Sequence, residues 1–236
     1  MNALWNDLAG RAGVALSDAQ HALLHRYLDL LLAANETMNL TRITDRAAAE
    51  LHHVADALTL LPFLPATRHA LADVGTGGGV PGIPLVIVRP DATVLLVEST
   101  KKKATFLRTA VEQLGLTNVT VTDERAEDVG NSAAHRERYD VVAARAVATL
   151  VWLAEWCLPL ARPKTGKVLA MKGAKAAEEL PAAAKAIKLL GGAPPVVHPI
   201  DLPGTEHHVV VEIPKPARTD RRYPRPATSA KGRPLA

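Results

Sequence analysis

From Ser17 onward, Leu23, Leu24, Tyr27, Leu28, Leu31 and Leu32 recur at three- and four-residue spacing. That period lines apolar side chains along one face of a helix, and Ser17 can cap its start. A second apolar face, formed by Leu51, Val54, Ala55, Leu58 and Leu61, begins after Arg46 and runs into Pro62 and Pro65. Proline lacks an amide hydrogen and crowds the preceding turn, so the helix stops there. No alternating strand pattern occurs in this stretch. Residues 1–65 therefore predict a small helical cap folded onto whatever follows.

From about residue 70 the pattern changes to short β-branched runs separated by longer amphipathic stretches. Strands are predicted at Leu71 to Val74, Val94 to Glu98, Val119 to Thr122, Asp140 to Ala144, Lys167 to Met171, Val196 to Ile200 and His208 to Ile213. Helices are predicted to begin near Val80, Lys102 and Leu150. Another covers Ala174 to Leu190, with Gly191 and Gly192 as its stop signal. This alternation predicts an α/β sheet with helices on both faces. The last two strands are joined only by Asp201 to Glu206, too short for a helical crossover, so they are expected to pair antiparallel. The expected organisation is a helical cap at 1–65, a core at 66–214 and a basic, proline-rich segment at 215–236.

Composition constrains this picture. The chain has 236 residues, 48% hydrophobic but only 3% aromatic, so its core is expected to be built from Ala, Val and Leu. A single cysteine, Cys157, excludes an internal disulfide and fits a reducing compartment. With no signal-like or bilayer-length apolar run, the reading is a cytoplasmic protein. Net charge is +4, yet from Lys215 onward seven basic residues stand against Asp220 alone, so the remainder is slightly negative. A basic segment on such a body suggests attachment to a polyanion, its plain alternative being a solvated tail. Removal of the residues after Pro216 is then expected to weaken nucleic-acid binding while leaving the affinity for any cofactor nearly unchanged.

The chemistry gathers at the ends of the first strands. Gly75, Gly77, Gly78, Gly79 and Gly82 follow the first strand directly, and Glu98 closes the second, 23 residues after Gly75. Glycines allow positive φ and close approach of backbone to a ligand, and a carboxylate at the second strand's end can accept both hydroxyls of a ribose. A nucleoside-containing cofactor follows. The stretch Gly77 to Gly82 formally satisfies the G-x-G-x-x-G fingerprint of dinucleotide binders, but Gly75, not Gly77, sits at the strand end. The start Asp73-Val-Gly75-Thr-Gly77 instead resembles the first motif of enzymes that use S-adenosylmethionine. A nicotinamide-dependent oxidoreductase and a non-catalytic binding protein that keeps the fold remain alternatives at this point.

Taken together, Asn39-Leu-Thr41, His53-Val-Ala-Asp56, Asp73 to Leu85 with its Pro-Gly-Ile-Pro continuation, and Ala144-Arg-Ala146 resemble the small-subunit ribosomal RNA guanine-N7 methyltransferases, also called glucose-inhibited division protein B. The resemblance spans nearly the whole chain. It implies the Rossmann-like, seven-stranded, mostly parallel sheet of class I S-adenosylmethionine-dependent methyltransferases with an antiparallel last strand. It also implies methyl transfer to N7 of a guanine in 16S rRNA, free or within an assembling 30S subunit, by a bacterial enzyme working as a monomer. Carried over, the cofactor contacts fall on Gly75, Gly77, Val80, Glu98, Ala126, Glu127 and Arg145. Ala126 and Glu127 would border the adenine, and Arg145 would pair with the methionine carboxylate or an RNA phosphate. RNA contacts are expected from Lys101, Lys102, Lys103, Lys172, Arg221, Arg222, Arg225 and Lys231, with Tyr223 offering a stacking face. Cations at the start of the helix at Lys102 oppose its dipole, which a polyanionic partner would explain. Guanine N7 carries a free lone pair, so no catalytic acid or base is assigned. No metal is expected either, because neighbouring His52 and His53 point different ways. His53 and Asp56 are instead expected in hydrogen bonds beneath the cofactor pocket or in contact with RNA. Two positions depart from the family pattern: Gly78 where proline is common, expected to loosen the loop, and Lys103 where arginine is usual.

Overall fold

A computed structural model describes residues 2–230 and 232–235. Helix α1 (Ala3–Arg11) is capped by the Asn2 side chain, and α2 (Asp18–Met38) by a reciprocal Ser17 and Gln20 capping box. Helix α2 ends at Asn39, in the left-handed region. Helix α3 (Arg46–Ala49) runs through a π-helical stretch (Glu50–Ala55) into α4 (Asp56–Leu58), and the Pro62 turn ends it. Such widened turns recur at functional sites, and this one carries His52 and His53.

All seven expected strands are present, with their ends moved by a residue at most. They are β1 (Ala70–Val74), β2 (Thr93–Val97), β3 (Val119–Thr122), β4 (Val141–Arg145), β5 (Lys167–Lys172), β6 (Val196–Pro199) and β7 (Val209–Pro214). They form one sheet in the order β3-β2-β1-β4-β5-β7-β6. The first five run parallel, and β7 inserts antiparallel between β5 and β6. Strand order reverses between β1 and β4, the place where open parallel sheets bind ligands at their carboxyl ends.

The crossover helices are α5 (Gly82–Val88), α6 (Lys101–Gln113), α7 (Ala126–Asn131), α8 (Leu150–Cys157) and α9 (Ala176–Leu189), and a short α10 (Ala227–Ala230) follows the sheet. Helix α5 starts at Gly82 rather than the expected Val80. The amides of Gly79 and Val80 both turn back to the Thr76 carbonyl, which keeps this stretch a loop until Pro81. Helix α7 has only six residues, too few to show an apolar period, and was not expected.

Alternation along the strands divides the core in two. Leu71 and Leu96 face the N-terminal helices, α5 and α6, whereas Ala72, Val74, Leu95 and Val97 face α8 and α9. The N-terminal helices thus form part of one covering layer of the sheet. They reach its carboxyl end, where Tyr27 and Leu31 of α2 meet the glycine loop.

Candidate functional site

The glycine loop leaves β1 and folds over β2, with the amides of Gly75 and Thr76 donating to the Val97 carbonyl at 2.9 and 3.2 Å. Asp73, fully buried, ties the two ends of the loop together. Its Oδ2 accepts from the Thr76 hydroxyl at 2.6 Å and from the Gly82 amide at 2.8 Å. Gly75 and Gly77 have φ of +70° and +59°, strained for any residue with a Cβ. A Cβ on Gly75 would also lie 2.6 Å from Val147, while one on Gly77 would meet nothing within 4 Å, because it faces an open cleft. Gly78, the position expected to loosen the loop, is contacted by α2. The Tyr27 hydroxyl donates to its carbonyl at 2.9 Å, and Leu31 fills the space beside its Cα so closely that a Cβ would come within 2.6 Å.

Burial raises Asp73 from its ordinary 3.8 to about 6, against the two hydrogen bonds it accepts. Between those values the folded chain keeps a proton that the unfolded chain has lost. Asp73 therefore contributes stability that is full below the unfolded pKa and is lost as pH rises through about 6. Asp73→Asn is expected to flatten the fall in stability across this window. The denaturant midpoint measured against pH checks this, and an unchanged slope would assign the effect to other groups.

Glu98 lies at the lip of the cleft, 7% exposed. Its Oε1 accepts from the Thr100 amide at 2.8 Å and its Oε2 from the Gly77 amide at 3.1 Å. Two hollows meet at Glu98 and Gly75. One, of about 210 Å³, is bordered by Ala126, Glu127, Val147 and Trp156. The other, of about 220 Å³, is bordered by Thr41, His53, Gly77, Val80, Lys103 and Arg145. The structure thus brings all seven residues expected at the cofactor onto one continuous surface. Glu127 is not a solvated charge: it is 5% exposed, with Arg125 at 3.5 Å.

Beyond Arg145 and Ala146 opens a third hollow of about 480 Å³, lined by Ile43, His52, Asp56, Met171, Lys172 and His208 among others. Arg145 is the partition. Its Nη1 donates to Asp56 Oδ2 at 2.6 Å and to the His52 carbonyl at 2.5 Å, and its Nη2 to His53 Nδ1 at 3.3 Å. A guanidinium only donates, so His53 Nδ1 accepts and its Nε2 carries the hydrogen, donated to the Thr41 hydroxyl at 3.1 Å. Burial, reinforced by Arg145, lowers His53 to about 4 and keeps it neutral. At Asp56 burial opposes the charge, but His208 and Arg145 together hold the carboxyl below its ordinary range, and Asp56 in turn raises His208. His53 and Asp56 accordingly orient Arg145. Both terminal nitrogens of the Arg145 fork, expected on a carboxylate or phosphate, are already engaged within the chain.

Among the basic residues, Lys101 and Lys102 are exposed on the first turn of α6, and Lys103 turns toward the glycine loop. Glu98, bonded to the Thr100 amide at that helix start, offsets part of their conflict with its dipole. Lys172 was expected on RNA, but its Nζ is paired with Glu179 Oε2 at 2.7 Å and with the Ala148 carbonyl at 2.9 Å. Arg225 was likewise expected on RNA and is instead ion-paired with buried Glu155 at 2.7 Å. Arg221 is exposed, Arg222 is exposed beside Asp220, and Lys231 lies outside the described residues.

The basic segment is docked rather than loose. Lys215 is 1% exposed, donates to the Leu190 carbonyl at 2.7 Å and to the Thr219 hydroxyl, and is lowered to about 8 by burial. Arg136 donates to the carbonyls of Gly130, Thr219, Asp220 and Tyr223 at 2.8–3.1 Å. Composition could not reveal this, because most of the acceptors are backbone carbonyls remote in sequence. Among the described residues, no group of three or more His, Cys, Asp or Glu side chains is placed to hold a metal. No described helix is long and apolar enough to cross a membrane.

A sequence model of the family described as rRNA small subunit methyltransferase G matches residues 20–208. The chain is 44% identical over 223 residues to the ribosomal RNA small subunit methyltransferase G of Chloroflexus aggregans, covering 94% of this chain and 93% of that protein. It is 45% identical over 223 residues to the protein of the same name from a Roseiflexus species, covering 94% and 95%. Among solved structures, a SAM dependent methyltransferase from Aquifex aeolicus shares the fold, with a TM-score of 0.56 at 15% identity over 74% of this chain and 96% of that one.

Proposed function

The chain belongs to the rRNA small subunit methyltransferase G family, and from that premise we propose that it transfers a methyl group from S-adenosylmethionine to N7 of a guanine in 16S rRNA. The observation that carries this reading is the pair of hollows joined at Glu98 and Gly75, with a third hollow across Arg145. The shape suits a bent, two-part cofactor with its acceptor next door. The cradle also fits, since the open space over Gly77 and the carboxylate of Glu98 offer backbone approach and a ribose acceptor.

In this reading Glu98 uses its remaining lone pairs on the ribose, and Ala126 and Glu127 frame the adenine. Gly75, Gly77 and Val80, with Arg145 as the far wall, enclose the methionine part. The cofactor supplies a methyl group activated on a sulfonium, ready for in-line displacement. Residues of the chain then have to hold an extruded guanine in the third hollow with N7 toward that methyl, an act of positioning. N7 needs no deprotonation, which agrees with a neutral, fully bonded His53. Lys101, Lys102, Lys103, Arg221 and Arg222 are the phosphate contacts of this proposal, with Lys172 at the hollow's rim.

Incubating the protein with S-adenosylmethionine labelled on the methyl group tests it, with naked 16S rRNA, 30S subunits and 23S rRNA as acceptors. Label recovered as 7-methylguanosine from 16S rRNA alone is expected, and the first two arms distinguish free RNA from the subunit as substrate. Label on another nucleoside, or on 23S rRNA equally, would remove the proposal.

A further inference from the structure

Aromatic residues make up only 3% of the chain, and two of its three tryptophans stand together on one helix, one of them bordering the cleft. Trp152 and Trp156 lie one turn apart on α8, both half-buried, with ring centroids 5.6 Å apart and planes at 26°. Trp156 borders the hollow that also holds Glu98, Ala126 and Glu127. Between the two in sequence lies Glu155, 1% exposed. Its Oε1 accepts from the Arg225 backbone amide at 3.0 Å and from Nε at 2.8 Å, and its Oε2 from Nη2 at 2.7 Å. The same guanidinium sits 5.9 Å from the Trp152 ring centroid.

The C-terminal segment grips the opposite side of that hollow as well. Asn131 donates to both the Glu127 and the Pro224 carbonyls at 3.0 Å, joining α7 to the segment. Arg136 joins the Gly130 carbonyl of α7 to those of Thr219, Asp220 and Tyr223. A Cβ on Gly130 would lie 2.9 Å from the Pro224 ring, so the segment packs directly on this helix. Residues 215–225 lie outside the stretch that the family model matches.

We propose that Trp156 is the stacking wall for the adenine ring of the cofactor, and that the docked segment Lys215 to Arg225 clamps α7 and α8 on either side of that ring. Trp156 is the binding residue, while Arg225, Glu155 and Arg136 are positioning residues acting through the two helices. The inference rests on the S-adenosylmethionine reading above. An indole face is a good partner for a purine face, and Trp156 stacks on Trp152, whose ring lies beside the Arg225 guanidinium that Glu155 holds. Removing the segment is therefore expected to weaken cofactor binding, contrary to the separable tail that composition suggested.

Calorimetric titration of the full-length protein and its variants with S-adenosylmethionine, in parallel with tryptophan fluorescence, tests both parts. Trp156→Ala is expected to lose roughly 10- to 100-fold in cofactor affinity, as for loss of one stacked base. Trp156→Phe is expected to keep most of the affinity but lose the fluorescence change that the wild-type protein shows on saturation. Arg225→Ala is expected to lose several-fold in affinity, with Arg225→Lys intermediate because it keeps the charge but not the two-bond fork on Glu155. Wild-type affinity in Trp156→Ala, or wild-type fluorescence unmoved by saturating cofactor, would overturn the stacking role, and the second readout stands even if the alanine variant does not fold. Unchanged affinity in Arg225→Ala would overturn the clamp. A wild-type protein that does not bind S-adenosylmethionine at all would instead overturn the cofactor reading, and this inference with it.

Discussion

Glu98→Ala is expected to weaken S-adenosylmethionine binding by on the order of 100-fold or more. Two hydrogen bonds from ribose hydroxyls to a carboxylate contribute about 1.5–3 kcal/mol each, and each 1.4 kcal/mol is tenfold in affinity. The substitution has a second effect. Glu98 accepts from the Gly77 and Thr100 amides, so its loss releases the middle of the glycine loop and the first turn of α6 together. Glu98→Gln separates the two effects. Its carbonyl keeps one amide bond and its shape holds the lip of the cleft, so an intermediate loss is expected. Calorimetry with each variant, and RNA binding measured alongside, reads the result. RNA affinity should hardly move, and a Glu98→Ala protein with wild-type cofactor affinity would strike Glu98 from the site.

Arg145→Ala is expected to cost about 3 kcal/mol of stability, because it strands the 5%-exposed Asp56 carboxylate without its main partner. For a chain of this length that is a fall of roughly 6–12 °C in Tm. His208, 3.7 Å from Asp56, compensates only in part. The partition between the second and third hollows goes with the side chain, so methyl transfer should fall well beyond what the lost stability explains. The double variant Asp56→Ala with Arg145→Ala removes the stranded charge and is expected to regain much of the Tm while staying inactive. Recovery of activity along with Tm would show that Arg145 serves the fold alone. A double-mutant cycle on Tm and on turnover, at a temperature where every variant is folded, distinguishes these outcomes.

Much of this molecule is legible in the order of its residues. Apolar periods place the helices of the N-terminal layer and β-branched runs place the strands, since those periods are set by backbone geometry and not by distant partners. The glycine loop and Glu98 can be read for the same reason: a parallel sheet presents its carboxyl ends to the ligand, so residues just after β1 and β2 must meet there. Arg145 is visible as a residue at the end of β4, but its fate is not. Asp56 lies 89 positions away, and nothing in the local pattern says that the Arg145 fork is consumed by Asp56, His52 and His53. The C-terminal segment misled for a similar reason. Its charge density describes a tail, while its anchors are buried Lys215 on a backbone carbonyl and Arg225 on buried Glu155, 70 positions upstream. Trp156 escaped notice because an apolar helix face and a pocket wall look alike in one dimension. The scarcity of aromatics in the chain was the one signal that singled it out.

The proposed product is a methyl group on N7 of one guanine of 16S rRNA. Mass-spectrometric mapping of 16S rRNA from cells with the protein, without it, and with the Glu98→Ala chain in its place tests this. A single 7-methylguanosine is expected in the first RNA, none in the second and a strongly reduced amount in the third. An unaltered set of 7-methylguanosines in all three would contradict it.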